Sequence, residues 1–252
     1  MQRILGVFAH PHDAVWVTGG TLAKYAKAGA HIQLICATSG EGRRYLEKSA
    51  GLLGITDFTY LGYKEGEVSK RTPGEIEDIT FGAMVDGVPN LVITFEPAGI
   101  DNDPDHIKVT LATTFAFQKY AKSAIHVVEK GISPLNPPRH PRDAWQISFA
   151  DAVADINDPK LYYACMPESH AQFLRKGKII PTESFGRRWR ATEDKKVTTV
   201  IDIKQFARVK DEACAAFGLT NNLFPSQEFY FMRMQGMHEV FMGKRDRVSN
   251  RL

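Results

Sequence analysis

Few features of the 252-residue sequence suggest a secreted, membrane or nucleic-acid-binding protein, and each absence narrows the field. There are only three cysteines, Cys36, Cys165 and Cys214. They are widely spaced and show no CxxC pairing, which argues against a disulfide framework or a thiolate zinc site and leaves buried free thiols. No apolar run approaches the roughly 18 residues needed to span a bilayer, and the chain starts directly on a strand-like segment, so a cytoplasmic location is expected. A formal charge of +3 offers no basic stripe for nucleic acid. The basic clusters Arg187-Arg188-Trp189-Arg190 and Lys244-Arg245-Asp246-Arg247 read as a solvated loop and a soluble tail. No GxGxxG follows any strand-like segment, so a dinucleotide site has no motif support.

What is present is a repeating order of apolar strand, polar loop and helix. Ile4–Ala9 is an unbroken apolar run of the kind buried on both faces of a parallel sheet. It gives way to His10-Pro11-His12-Asp13, and a helix with Leu22, Tyr25 and Ala26 at helical spacing opens near Thr18-Gly19-Gly20 and closes at Gly29. Further strands are expected at 31–37, 58–61 and 90–95, with helices at 45–53, 73–85 and 107–122. This order predicts an α/β, mostly parallel, doubly wound sheet in one domain spanning 1–252. A proline-rich irregular connection over 131–141 is expected to help wall the site. Trp145–Val153 and Leu161–Met166 read as strands, 169–176 as a short helix, 197–201 as a β-branched strand and 204–217 as a helix. The methionine- and aromatic-rich segment 226–242 reads as core packing.

In open α/β sheets ligands sit at the carboxyl ends of strands. His10 and Asp13 lie on one such loop and His106 follows another. If those strand ends are neighbours, two imidazoles and a carboxylate converge, a donor set for a catalytic zinc with open positions. The alternative is a pair of loop histidines satisfied by backbone groups, and spacing alone does not choose.

Several motifs taken together do more. His10-Pro11-His12-Asp13, Gly19-Gly20-Thr21-Leu22-Ala23, Thr38-Ser39-Gly40-Glu41, Leu61-Gly62 and Pro104-Asp105-His106, in this order and at these strand ends, resemble the PIG-L (LmbE-like) deacetylases. The resemblance extends more weakly to Thr199-Val200-Ile201-Asp202, Lys210 and Ser226-Gln227. It implies a Rossmann-like, usually zinc-dependent enzyme that removes acetyl groups from N-acetylglucosamine units, water activated at the metal attacking the acetamide carbonyl. Zn2+, or another divalent metal, would be held by His10, Asp13 and His106. The expected partner is a small amino-sugar or glycoconjugate, with neither nucleic acid nor a membrane span, and a homo-oligomer is left open.

The chain departs from the family pattern at the residues that do the chemistry. The family's general-base Asp is replaced by His12, the following Glu by Ala14, and the oxyanion-stabilising His of the later motif by Asp103; a His before Ser226-Gln227 is also lost. His12 and Asp103 read as a reciprocal exchange, with His12 as general base and Asp103 orienting it. The competing readings are a metal- or glycoside-binding protein without turnover, with His12 a fourth ligand or idle, and a hydrolase of a different amide. Arg43 or Arg44 is a candidate for substrate hydroxyls or an acidic group, Trp16 for a sugar-stacking wall, and Asp105 for the acceptor behind the His106 imidazole.

Overall fold

The computed structural model describes residues 1–40, 42–72, 74–154, 159–219, 223–235, 238–239 and 249–252. In chain order its elements are β1 (Arg3–Phe8), α1 (Asp13–Lys27), β2 (His31–Thr38), α2 (Gly42–Leu52), β3 (Asp57–Tyr63), α3 (Glu75–Gly87), β4 (Leu91–Phe95) and the single turn α4 (Gly99–Asn102). There follow α5 (Pro104–Glu129), α6 (Trp145–Val153), β5 (Lys160–Cys165), α7 (Glu168–Lys176), β6 (Glu183–Ser184) and β7 (Arg187–Arg188). The last are β8 (Thr199–Asp202), α8 (Ala207–Ala215), β9 (Gln227–Gln235) and β10 (His238–Glu239). Among the described residues, none of the helices is long and apolar enough to cross a membrane.

Five strands pair in parallel in the order β3-β2-β1-β4-β5, and β9 adds to β5 antiparallel, carrying β8 and β10. The fold is therefore the mostly parallel α/β sheet expected. β1 and β4 are hydrogen-bonded neighbours, with Ile4, Leu5 and Gly6 opposite Leu91, Val92 and Ile93. Strand order reverses there, so the loops leaving β1 and β4 open a crevice at the topological switch point. All five residues of β4 and the last five of β1 are buried, as strands covered on both faces require.

α1 begins at Asp13, earlier than the sequence suggested, so the first polar loop is a tight turn and Asp13 stands in the first helical turn. Its carboxylate lies at the positive end of the helix, and Lys24 and Lys27 lie at the negative end. Gly20 sits within this helix because β8 leads directly onto it: a Cβ there would meet Ile203 side-chain atoms at 2.5 Å. One buried ion pair locks the same region. Glu228 on β9 accepts Lys210 Nζ at 2.6 Å, the backbone amides of Gly20 and Thr21 at 2.9 and 2.7 Å, and Tyr230 Oη at 3.2 Å.

Three expectations change. Trp145–Val153 is a helix, with Trp145, Phe149 and Val153 four residues apart and Phe149 packed on Tyr120. The irregular 131–141 segment follows the far end of α5, roughly 39 Å along a helix of that length from its first turn, so it does not wall the crevice. Within the basic cluster, Trp189 is buried while Arg187, Arg188 and Arg190 are exposed. All three cysteines are free and buried. Gly236, Met237 and the 240–248 part of the terminal segment, with the basic tail, lie outside the described residues.

Candidate metal centre

The β1 turn supplies His10, His12 and Asp13. The backbone amide of His10 donates to Asp13 Oδ2 at 2.6 Å, closing the turn on itself, and His10 Nδ1 lies 3.3 Å from Thr38 Oγ1 at the end of β2. That contact fixes the ring and leaves Nε2 facing inward. The first turn of α5, entered from the β4 loop, supplies His106. Its ring stacks on Phe95 with centroids 4.2 Å apart, and Nδ1 meets the Gly99 carbonyl at 3.0 Å and Asp101 Oδ1 at 3.1 Å. Gly99 has φ +70°, and a Cβ on it would lie 2.8 Å from His106 Cβ, so only glycine admits this approach.

His10 Nε2, His106 Nε2 and a carboxylate oxygen of Asp103 all fall within 4.8 Å of one another, the one such group of three among the described residues. Asp103 Oδ2 is 3.5 Å from His10 Nε2 and 3.9 Å from His106 Nε2. Asp13 Oδ2 is 3.3 Å from His106 Nε2, and Asp13 Oδ1 is 3.3 Å from His12 Nε2. Yet His10 Nε2, His106 Nε2 and Asp13 Oδ1 are buried without a hydrogen-bond partner. Buried polar atoms are almost always satisfied, and here two imidazole nitrogens and an Asp103 carboxylate oxygen share one small volume, with Asp13 beside His106 and His12 but outside that group of three. The donor chemistry fits a divalent cation.

The electrostatics agree. Burial opposes a charge on His106, but the Asp13 and Asp101 carboxylates outweigh it and raise its pKa well above the usual value; His10 is raised likewise by Asp103 and Asp13. Burial would raise Asp13, yet the neighbouring imidazoles hold it below the ordinary carboxylate range, and Asp103 follows for the same reason. These carboxylates stay ionised and call for positive charge between them.

The remaining candidates sort as follows. Asp103 turns towards His10 and His106, not towards His12; the carboxylate beside His12 is Asp13. Asp103 also caps α5, Oδ1 accepting the Asp105 amide at 2.7 Å, with Pro104 in the first turn. The acceptor behind His106 is Asp101, a residue the sequence reading passed over, while Asp105 accepts the amides of Gly66 and Ser69 at 2.7 and 2.8 Å and pins the loop after β3. His12 is half-exposed and lines a cavity of about 520 Å³ with Thr38, Gly62, Tyr63 and Phe217. Arg43 and Arg44 line a neighbouring cavity of about 550 Å³; Arg43 is exposed, lies over Tyr60 and pairs with Glu47 at 3.0 Å. Trp16 packs on the core near Phe224 and is not among the residues lining the cavity at His12.

Fold and site together define a class of open α/β protein that presents a cluster of His and Asp donors at the switch point of its sheet. Comparison with known proteins gives a likeness to one family. Residues 5–117 match the family model described as PIG-L: GlcNAc-PI de-N-acetylase, so this part of the chain is similar to that family. A 1D-myo-inositol 2-acetamido-2-deoxy-alpha-D-glucopyranoside deacetylase of Mycobacteroides abscessus is 25% identical, the alignment covering 90% of this chain and 99% of the relative. Among solved structures, N,N'-diacetylchitobiose deacetylase from Pyrococcus horikoshii superposes with a TM-score of 0.57 at 15% identity, over 94% of this chain and 85% of that one. A 4-carboxy-2-hydroxymuconate hydratase from Pseudomonas putida superposes with a TM-score of 0.58 at 15% identity, over 97% and 100%. The two structures speak for the fold alone.

Proposed function

We propose that the chain is a metal-dependent deacetylase that hydrolyses the N-acetyl group of an N-acetylglucosamine-type amino-sugar derivative to acetate and a free amine. The carrying observation is the set of buried, unpartnered donors, His10 Nε2, His106 Nε2 and Asp13 Oδ1, with Asp103 Oδ2 beside both imidazoles. The full-length relatedness to deacetylases of acetamido sugars supports the reaction class. His10, His106 and Asp13 would hold the ion, zinc or another divalent metal, with Asp103 as an added carboxylate. When bound, such an ion lowers the pKa of water and takes up the charge that develops on the carbonyl oxygen.

The chain's own residues do the rest. Thr38 fixes the His10 ring, and Asp101 with the Gly99 carbonyl fixes that of His106. His12, at the mouth beside Asp13 Oδ1, is the group placed to take a proton from the attacking water and return it to the leaving nitrogen as the C–N bond breaks. Asp103 does not replace the family's imidazole at the oxyanion, because an ionised carboxylate repels it.

The test is acetate release from a panel of N-acetylglucosamine derivatives by the zinc-loaded protein, with metal content measured in parallel. His12→Ala is expected to lower kcat by about 10²–10⁴ with the ion retained, and His106→Ala to lose the ion. No acetate from any member of the panel would refute the reading. A second reading, binding without turnover, rests on His12 standing at Asp13 Oδ1 as a further ligand; it predicts that His12→Ala weakens metal retention instead.

A further inference from the structure

A further cavity, of about 620 Å³, lies away from His12, between the end of β4, α7 and the segment 188–196. Two of its lining residues carry buried polar atoms without a partner. Glu96 accepts from Thr192 Oγ1 through Oε2, but Oε1 has no hydrogen bond. Trp189 is 5% exposed, and its Nε1–H, which can only donate, has no acceptor. Leaving buried groups in that state costs about 1–3 kcal/mol each, a cost that an occupant with acceptor atoms removes.

The charges around the cavity indicate which occupant. Burial raises the Glu96 carboxyl to about 8, so at neutral pH it is mostly protonated and offers a donor instead of a negative charge. Arg175 is engaged by Glu168 at 3.2 Å and Lys196 by Glu193 at 2.8 Å. Arg188 and Arg190 also line the cavity and, among the described residues, neither has an ion-pair partner. Two unopposed guanidinium groups and an unsatisfied indole N–H suit an anion with several acceptor oxygens.

The wall is also held in place before any ligand arrives. Asn102, buried with φ +68°, donates from Nδ2 to the carbonyls of Ser184, Arg187 and Arg188 at 3.4, 3.3 and 3.2 Å. Arg175 Nη2 donates to the Trp189 carbonyl at 2.7 Å. The hairpin that presents Arg188 is thereby fastened to the turn that leads through Asp103 into α5 and His106.

We propose that this cavity is a binding site for a small anion bearing carboxylate or phosphate oxygens, held by Arg188, Arg190 and the Trp189 indole N–H and distinct from the metal centre. The full chain is titrated with inorganic phosphate and, separately, with succinate, following heat by calorimetry and tryptophan emission by fluorescence. One saturable site is expected for at least one of them, and which one saturates tells phosphate from carboxylate. The Arg188→Ala/Arg190→Ala variant should bind about 10- to 100-fold more weakly, from the loss of charge-assisted hydrogen bonds. Trp189→Phe should also weaken binding and abolish the emission change. His106→Ala should leave the affinity unchanged. No saturable binding of either anion, equal affinity in the double-arginine variant, or loss of binding in His106→Ala would each overturn the assignment. Neither readout involves turnover, so the site stands or falls separately from deacetylation.

Discussion

Glu96 offers the sharpest test of how burial governs this protein's response to pH. Its carboxyl is 5% exposed, accepts a hydrogen bond from Thr192, and is raised from 4.5 to about 8, with burial the first cause. A group whose folded pKa lies above its unfolded one adds stability below the unfolded value and loses it as pH climbs to the folded one. The loss falls between about pH 4.5 and 8. At 1.36 kcal/mol per unit, the gap is worth about 4–5 kcal/mol in the limit. Glu96→Gln keeps the shape and the acceptor for Thr192 but cannot ionise. Urea denaturation of both proteins at pH 5 and pH 9 should show the variant gaining several kcal/mol relative to wild type on going from the lower to the higher pH. Other titrating groups cancel in that difference. A difference in stability that stays constant from pH 5 to pH 9 would refute the reasoning, because it would mean that Glu96 ionises in the fold as easily as outside it.

Further tests address the packing and the donor cluster. Lys210→Met leaves Glu228 charged and fully buried, and should destabilise by about 3–5 kcal/mol in a denaturant titration; a loss under 1 kcal/mol would mean that Tyr230 and the two amides suffice. Gly20→Ala forces a methyl against Ile203 and is expected to lower stability by about 1–3 kcal/mol, despite alanine's better helix propensity. Asp103→Asn should weaken metal retention in equilibrium dialysis while leaving far-ultraviolet circular dichroism intact; undiminished affinity would remove Asp103 from the donor set. Chelation of the ion should lower Tm, and zinc added back at about 100 times its Kd should restore roughly 2.7 kcal/mol.

The sheet was legible because its strands are continuous apolar runs closed by polar turns, a pattern that survives without neighbours. The nearness of His10, Asp13 and His106 was legible because they fall at two such turns and β1 and β4 are adjacent; the place of Asp103 in the three-donor group with the two imidazoles was not. Trp145–Val153 misled because a short apolar run satisfies strand and helix alike; only packing of Trp145 and Phe149 against Phe81 and Tyr120 decides it. Asp101 takes the role expected of Asp105 for a reason that sequence order conceals. The left-handed residues Gly99, Ile100 and Asn102 fold the loop back, so the acid five positions before His106 meets its ring, while its immediate neighbour turns outward to the loop after β3. The Asp101-x-Asp103-Pro-Asp105 spacing did carry a signal, since an acid before proline is a helix cap, which fixes Asp103 at the start of α5.

The clamp at Glu228 has a consequence for the order in which the molecule is made. A carboxylate near the end of the chain holds two amides of the first helix across 208 and 207 positions of sequence, and the strand bearing it inserts between β5 and β8. Contacts of such separation close late during folding. The turn with His10 and Asp13 leaves the ribosome well before β9, yet the helix that anchors it gains its clamp only once β9 has emerged. Nascent chains halted before that strand should expose an unclamped first helix, and the turn that carries His10 and Asp13 should become rigid only after β9 has been made.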